Sequence, residues 1–172
     1  RIAERISSHK NIHAVIGHAC SATSRATQKI YADSKILQIA PSANANSLTE
    51  KNINSFFRLC GTDLRHAKQI ANFIAEKLQS KKIAIAYMQD AHNQNLANAV
   101  TEQLVILDSN PVLHYAIQKK QNLLKLMKKL DHLNIDAVFI AGNHTAISAT
   151  LDELYKKQMQ IPVITSDAAA TN

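Results

Sequence analysis

Apolar positions along the chain cluster into short, nearly unbroken runs, separated by longer stretches in which they recur every three or four residues. The runs are "NIHAVIG" (11–17), "KILQIA" (35–40), "KIAIAYM" (82–88), "PVLHYAI" (111–117), "DAVFIAG" (136–142) and "IPVITS" (161–166). Continuous rather than alternating hydrophobicity predicts parallel strands covered on both faces. Helical spacing fills 22–33, 64–79, 93–106, 120–133 and 144–158. The predicted inward stripe is Ala67, Ile70, Ala71, Ile74 and Leu78 in the second of these. In the fourth it is Leu123, Leu124, Met127 and Leu130, with lysines mostly opposite, and in the last Ile147, Leu151, Leu154 and Tyr155. Six strands alternating with helices predict an α/β fold of doubly wound parallel sheets.

One region breaks this rhythm. "PSANANSLTEKNINSFFRLCGTD" (41–63) is mostly turn-formers with a short apolar "SFFRLC", and no helix follows the second strand. It reads as the chain passing from one sheet to another. A lobe boundary is placed near Gly61 to Asp63, giving 1–62 and 63–172, with Thr62 or Asp63 as N-cap of the next helix.

Composition narrows the picture. The chain has 172 residues, 46% of them hydrophobic, enough for one ordinary domain or two small lobes. Three glycines and three prolines leave no room for a long linker or low-complexity tract. The apolar runs fall far short of the roughly 20 residues of a membrane span. "RIAERISSHK" at the start has no apolar signal-peptide core, so an export signal or anchor is expected to lie outside this chain. A net charge of +7 raises the question of nucleic acid. The lysines are spread over several segments with few aromatics between them, so no nucleic-acid partner is expected. Eight histidines lack ligand spacing, so no metal is expected. Neither G-x-G-x-x-G nor a P-loop occurs, which argues against a nucleotide cofactor.

Ligands of parallel α/β sheets bind beyond the carboxyl ends of the strands. The residues there are Cys20 and Ser21; Ser42, Ala43 and Asn44; Asp90 and His92; Asn143, His144 and Thr145; and Ser166 and Asp167. "CSATS" (20–24), at a strand-to-helix junction, offers free N–H groups, a positive dipole end and hydroxyls, suited to a carboxylate or phosphate. Ser21 or Thr23 as a plain helix cap is the alternative. Cys20 near His18 is a conceivable nucleophile, with a buried or disulfide-linked thiol the simpler reading. Asp90 occupies a phospho-acceptor-like position after a strand.

Taken together, "VIGHACSATSRATQKIYADSKILQIAPSANANSLTE" (15–50), "FFRLCGTD", "KKIAIAYM", "LNIDAVFIAGN" and "IPVITSD" resemble the branched-chain amino-acid (Leu/Ile/Val) binding proteins. These are the type I periplasmic solute receptors of ABC importers. The resemblance implies a two-lobed type I periplasmic-binding-protein fold, truncated at both ends, with a ligand in the cleft. It implies that Ser21 takes the α-carboxylate, and that the loop Ser42, Ala43 and Asn44 supplies a backbone carbonyl and a polar side chain to the α-amino and carboxylate groups, Asn44 replacing the usual threonine. Asp167, in place of the usual glutamate, would take the ammonium. His92 stands where a tyrosine of "Y-G-x-G" is usual and Asn143 where an aromatic is common, implying a more polar cleft than one built for leucine. The usual partner of Cys20 would lie outside the chain. The implied function is capture of an amino acid or similar zwitterion in the periplasm, without catalysis, for an ABC permease. The alternative is a sensing ectodomain fused to a membrane signalling module such as a histidine kinase or cyclic-di-GMP enzyme. A sheet edge left bare could be covered by a second copy, giving a homodimer.

Overall fold

The structure, a computed structural model, describes residues 1–50, 53–118 and 120–167. The chain divides into two compact units, Arg1–His66 and Ala67–Asn172.

The first unit begins with helix α1 (Ile2–Ser7), then strand β1 (Ala14–Ile16), helix α2 (Ser21–Asp33), β2 (Leu37–Ala40), a single 3-10 turn (Asn46–Leu48) and β3 (Phe56–Arg58). The strands form a parallel sheet in the order β1-β2-β3. The third strand comes from "SFFRLC", which the hydrophobic pattern assigned to a passage between sheets. Three residues are too few for a period to register. Against one face of this sheet α2 packs an unusually polar stripe of Ser24, Thr27, Gln28 and Tyr31. Hydrogen bonds make that stripe tolerable. Buried Gln38 Nε2 donates to Thr27 Oγ1 at 3.2 Å, and Gln28 Nε2 to the Leu48 carbonyl at 2.8 Å.

Helix α3 (Asp63–Asn72) leads into the second unit. Thr62 Oγ1 accepts the Arg65 N–H at 3.2 Å, the bond of an N-cap. The expected helix to residue 79 is not regular throughout: Phe73–Lys77 form a π-helical turn, with Leu78 N–H on the Phe73 carbonyl. The wider turn resets the phase, so Ile74 is fully buried and Leu78 only half-buried.

Then follow β4 (Ile83–Met88), α4 (Ala91–Ile106), β5 (Leu113–Ile117), α5 (Lys120–His132), β6 (Ala137–Ala141), α6 (His144–Lys156) and β7 (Val163–Thr165). The sheet is parallel with order β5-β4-β6-β7. Strand alternation sends Ile83, Ile85 and Phe139 into a core with α3 and α4, and Ala84, Ala86, Val138 and Ile140 into a core with α5 and α6. This is the doubly wound arrangement that the continuous runs predict. Two inward stripes differ in detail. On α5 the fully buried residue is Leu126, while Leu124 is 49% exposed. On α6, Leu151 and Tyr155 face outward, and Thr150 takes the buried place between Ile147 and Leu154. An apolar stripe wider than the contact surface leaves its margin in solvent, and periodicity cannot say which margin.

Candidate functional site

The chain leaves β1 at Gly17, whose φ of +153° is a conformation L side chains rarely adopt. Three residues later α2 begins. Its N-cap, Cys20, is extended and makes no side-chain capping bond. The turn is closed by Ser24 Oγ, which donates to the His18 carbonyl at 3.0 Å. His18 stacks on Tyr31, with Nε2 3.3 Å from the phenol oxygen, so its ring engages Tyr31. Burial pushes the Tyr31 phenol above its ordinary range. Cys20 is exposed, Cys60 half-buried, and both are free thiols.

Ser21, Ser42, Ala43 and Asn44 come together in the first unit. Ser21 Oγ accepts the Ala45 N–H at 3.1 Å and donates to Asn44 Oδ1 at 3.5 Å. Ser42 Oγ donates to the Ala19 carbonyl at 3.1 Å, tying the β2–β3 loop to the β1–α2 turn. Ala43 is fully buried, so only its backbone can serve. The unit therefore presents an uncapped helix start beside a serine whose hydroxyl is oriented by a backbone N–H. Such an arrangement offers donors to an anion.

His92, Asn143 and Asp167 belong to the second unit, all at the carboxyl ends of its strands. In the sheet order, β4 is flanked by β5 on one side and β6 on the other, so the chain reverses direction at β4 and leaves a crevice there. Asp90 caps α4: its carboxylate accepts the Asn93 N–H at 3.0 Å and the Asn93 side chain at 2.7 Å. Burial raises its pKa, but these hydrogen bonds and nearby His92 outweigh that, and the carboxyl sits below its ordinary value. The phospho-acceptor reading gives way to this capping role. Asn143 likewise caps α6, its Oδ1 accepting the Ala146 N–H at 3.0 Å. His92 and Asp167 are exposed. Buried Ser166 donates to the Gly142 carbonyl at 3.1 Å and fixes the end of β7 beside that of β6.

Two features escaped the sequence. A cavity of about 370 Å³ opens at the ends of β4, β5 and β6, lined by Met88, Ile117, Leu123, Asn143, Thr145 and Ala146 among others. Arg58, a single cation in an apolar run, hydrogen-bonds into the loop carrying Ala43. Its only sequence signal is that isolation. Among the described residues no cluster of three or more His, Cys, Asp or Glu could hold a metal ion, and no helix is long and apolar enough to cross a membrane.

Comparison with known proteins adds a lineage to this geometry. Residues 1–167 match the family model described as periplasmic binding protein. An "Amino acid binding protein" of Pseudomonas aeruginosa is 24% identical over 172 residues, covering 99% of this chain and 46% of that protein. The "Leu/Ile/Val-binding protein" of Escherichia coli K12 is 32% identical over 138 residues, 80% of this chain and 38% of that one. Among solved structures, an ABC transporter substrate-binding protein from Desulfitobacterium hafniense in complex with Leu superposes with a TM-score of 0.84 at 25% identity. That match covers 98% of this chain and 50% of the other. The chain thus spans half or less of the length of these relatives.

Proposed function

The chain belongs to the periplasmic binding protein family, and we propose that it serves an extracytoplasmic receptor that captures an amino acid or similar small zwitterion for an ABC importer. It acts by holding its ligand, without making or breaking bonds. Residues 1–62 form part of one lobe and 63–172 part of the other. Ser21 and the open N–H groups of α2 receive the carboxylate, and the loop of Ser42, Ala43 and Asn44 serves the carboxylate and the α-amino group. Asp167 receives the ammonium, with His92 and Asn143 on the same side of the second sheet. The partners are the small ligand and an ABC permease.

The observation that carries this reading is the uncapped start of α2 with Ser21 held beside it. By contrast α4 and α6, which also begin just beyond strand ends, are closed by the side chains of Asp90 and Asn143. A zwitterion gives up its hydration on binding, at several kcal/mol per uncompensated charge, so each end needs such a partner. The names of the relatives, which include binders of leucine, isoleucine and valine, make leucine the first probe, while His92 and Asn143 favour a more polar amino acid than those relatives bind. A thermal-shift screen of the twenty amino acids tests the reading. Ligand that binds only the folded state raises the melting temperature with concentration. At least one amino acid is expected to do so, and a flat response to all twenty contradicts the proposal.

A further inference from the structure

Three consecutive carbonyls of the β2–β3 loop, those of Ala43, Asn44 and Ala45, are held by the segment that follows. Arg58 Nη1 donates to the Ala43 carbonyl at 3.3 Å, and Nη2 donates to the Ala45 carbonyl at 3.0 Å and to Thr49 Oγ1 at 2.9 Å. The Asp63 N–H takes the carbonyl between them, that of Asn44, at 3.0 Å. The peptide plane joining Asn44 to Ala45 is thereby fixed at both edges, its carbonyl on Asp63 and its N–H on Ser21 Oγ at 3.1 Å. Arg58 is half-buried, and its Nε is enclosed without a hydrogen-bond partner among the described residues. Enclosing a guanidinium costs solvation, which sets it apart from the solvated lysines of the surface. Its planar fork reaches three acceptors at once, and an ammonium has no such fork.

We infer that Arg58 is the positioning residue of the carboxylate half-site: it fixes the Ala43–Ala45 loop, so that the Ala45 N–H orients the Ser21 hydroxyl. For the ligand this inference rests on the proposed function; for the positioning it rests on hydrogen bonds within the first unit.

The test uses the full chain as wild type, Arg58→Lys and Arg58→Met, read by amide hydrogen exchange without ligand and by calorimetric titration with L-leucine. In both variants the Ala45 amide is expected to lose roughly tenfold or more of its protection, while Ile39 and Ala40 in β2 keep theirs, and leucine binding weakens about as much. Lysine, which keeps the charge without the fork, restores only part of the affinity. Should Arg58→Met unfold the unit, Arg58→Lys carries the test alone. Wild-type Ala45 protection in Arg58→Lys, or unchanged leucine affinity in a variant whose Ala45 amide has been released, overturns the inference. If the wild type ignores leucine while Ala45 still loses protection in both variants, the positioning stands and leucine is excluded as the ligand.

Discussion

Ser21 accepts the Ala45 N–H on its hydroxyl oxygen and points its own proton at Asn44 Oδ1, 3.5 Å away, a long contact that the proposed ligand carboxylate would replace. Its candidacy was legible in the sequence, because a small, hydroxyl-rich turn after a buried strand announces a strand-to-helix junction. The roles of Asp90 and Asn143 were less legible. Both follow strands as ligand-binding residues do, yet both spend side-chain oxygens on capping. Arg58 was silent, since its value lies in acceptors 9 to 15 residues away in sequence. A different residue gives a prediction at this scale. His114 packs its ring 4.8 Å from that of Tyr87, and burial lowers its pKa, partly offset by a backbone hydrogen bond with Ala97. The fold thus favours neutral imidazole. Its contribution to stability is complete above the unfolded value of about 6.5 and is lost as pH falls from there toward the lower folded value. The melting temperature of the wild type should therefore drop more steeply between about pH 7 and 5 than that of His114→Gln. Parallel profiles would contradict the assignment.

At the scale of elements, hydrophobic spacing located every helix and strand longer than five residues except α1. It failed where the element was too short, as in β3, or where the helical period changes, as in the π turn after α3. The helix ends show another reason why boundaries were hard to read. With only three glycines in the chain, α2, α4, α5 and α6 end in left-handed residues that are not glycine: Lys35, Asp108, Asn134 and Gln158. In each case the next N–H reaches back to the helix, as Ile36 does to the Tyr31 carbonyl at 2.9 Å and Met159 to that of Leu154 at 3.1 Å. Aspartate and asparagine tolerate this conformation, but lysine and glutamine do so at a cost. Lys35→Gly and Gln158→Gly should each stabilise the protein by about 0.5–1 kcal/mol in urea unfolding, net of the entropy glycine adds to the unfolded chain. Destabilisation by either would mean that the left-handed cap is absent in solution.

Over the whole molecule, the two units differ in how fully they meet what their strands predict. The second sheet is covered on both faces, and every residue of β6 is buried. The first sheet has α2 on one face only. On the other, Ile16, Ile39 and Phe57 form one cross-strand row in which Ile16 is 80% and Phe57 53% exposed. Apolar runs record what a strand is able to bury, not what stands ready to cover it, which is why the sequence predicted two covered faces for both sheets. The α/β class was nonetheless readable from the order of elements along the chain, and the grouping of Ser21 with the Ser42–Asn44 loop from their shared place beyond strand ends and from the family resemblance. The proposed function reduces, at this scale, to two charges on one small ligand. Calorimetric titration of L-leucine into the wild type, Ser21→Ala and Asp167→Ala reads both ends together. Measurable binding by the wild type is predicted, weakened at least about tenfold by Ser21→Ala and about thirtyfold by Asp167→Ala, the larger loss reflecting a stranded ammonium. Leucine affinity that survives both substitutions unchanged would contradict the account.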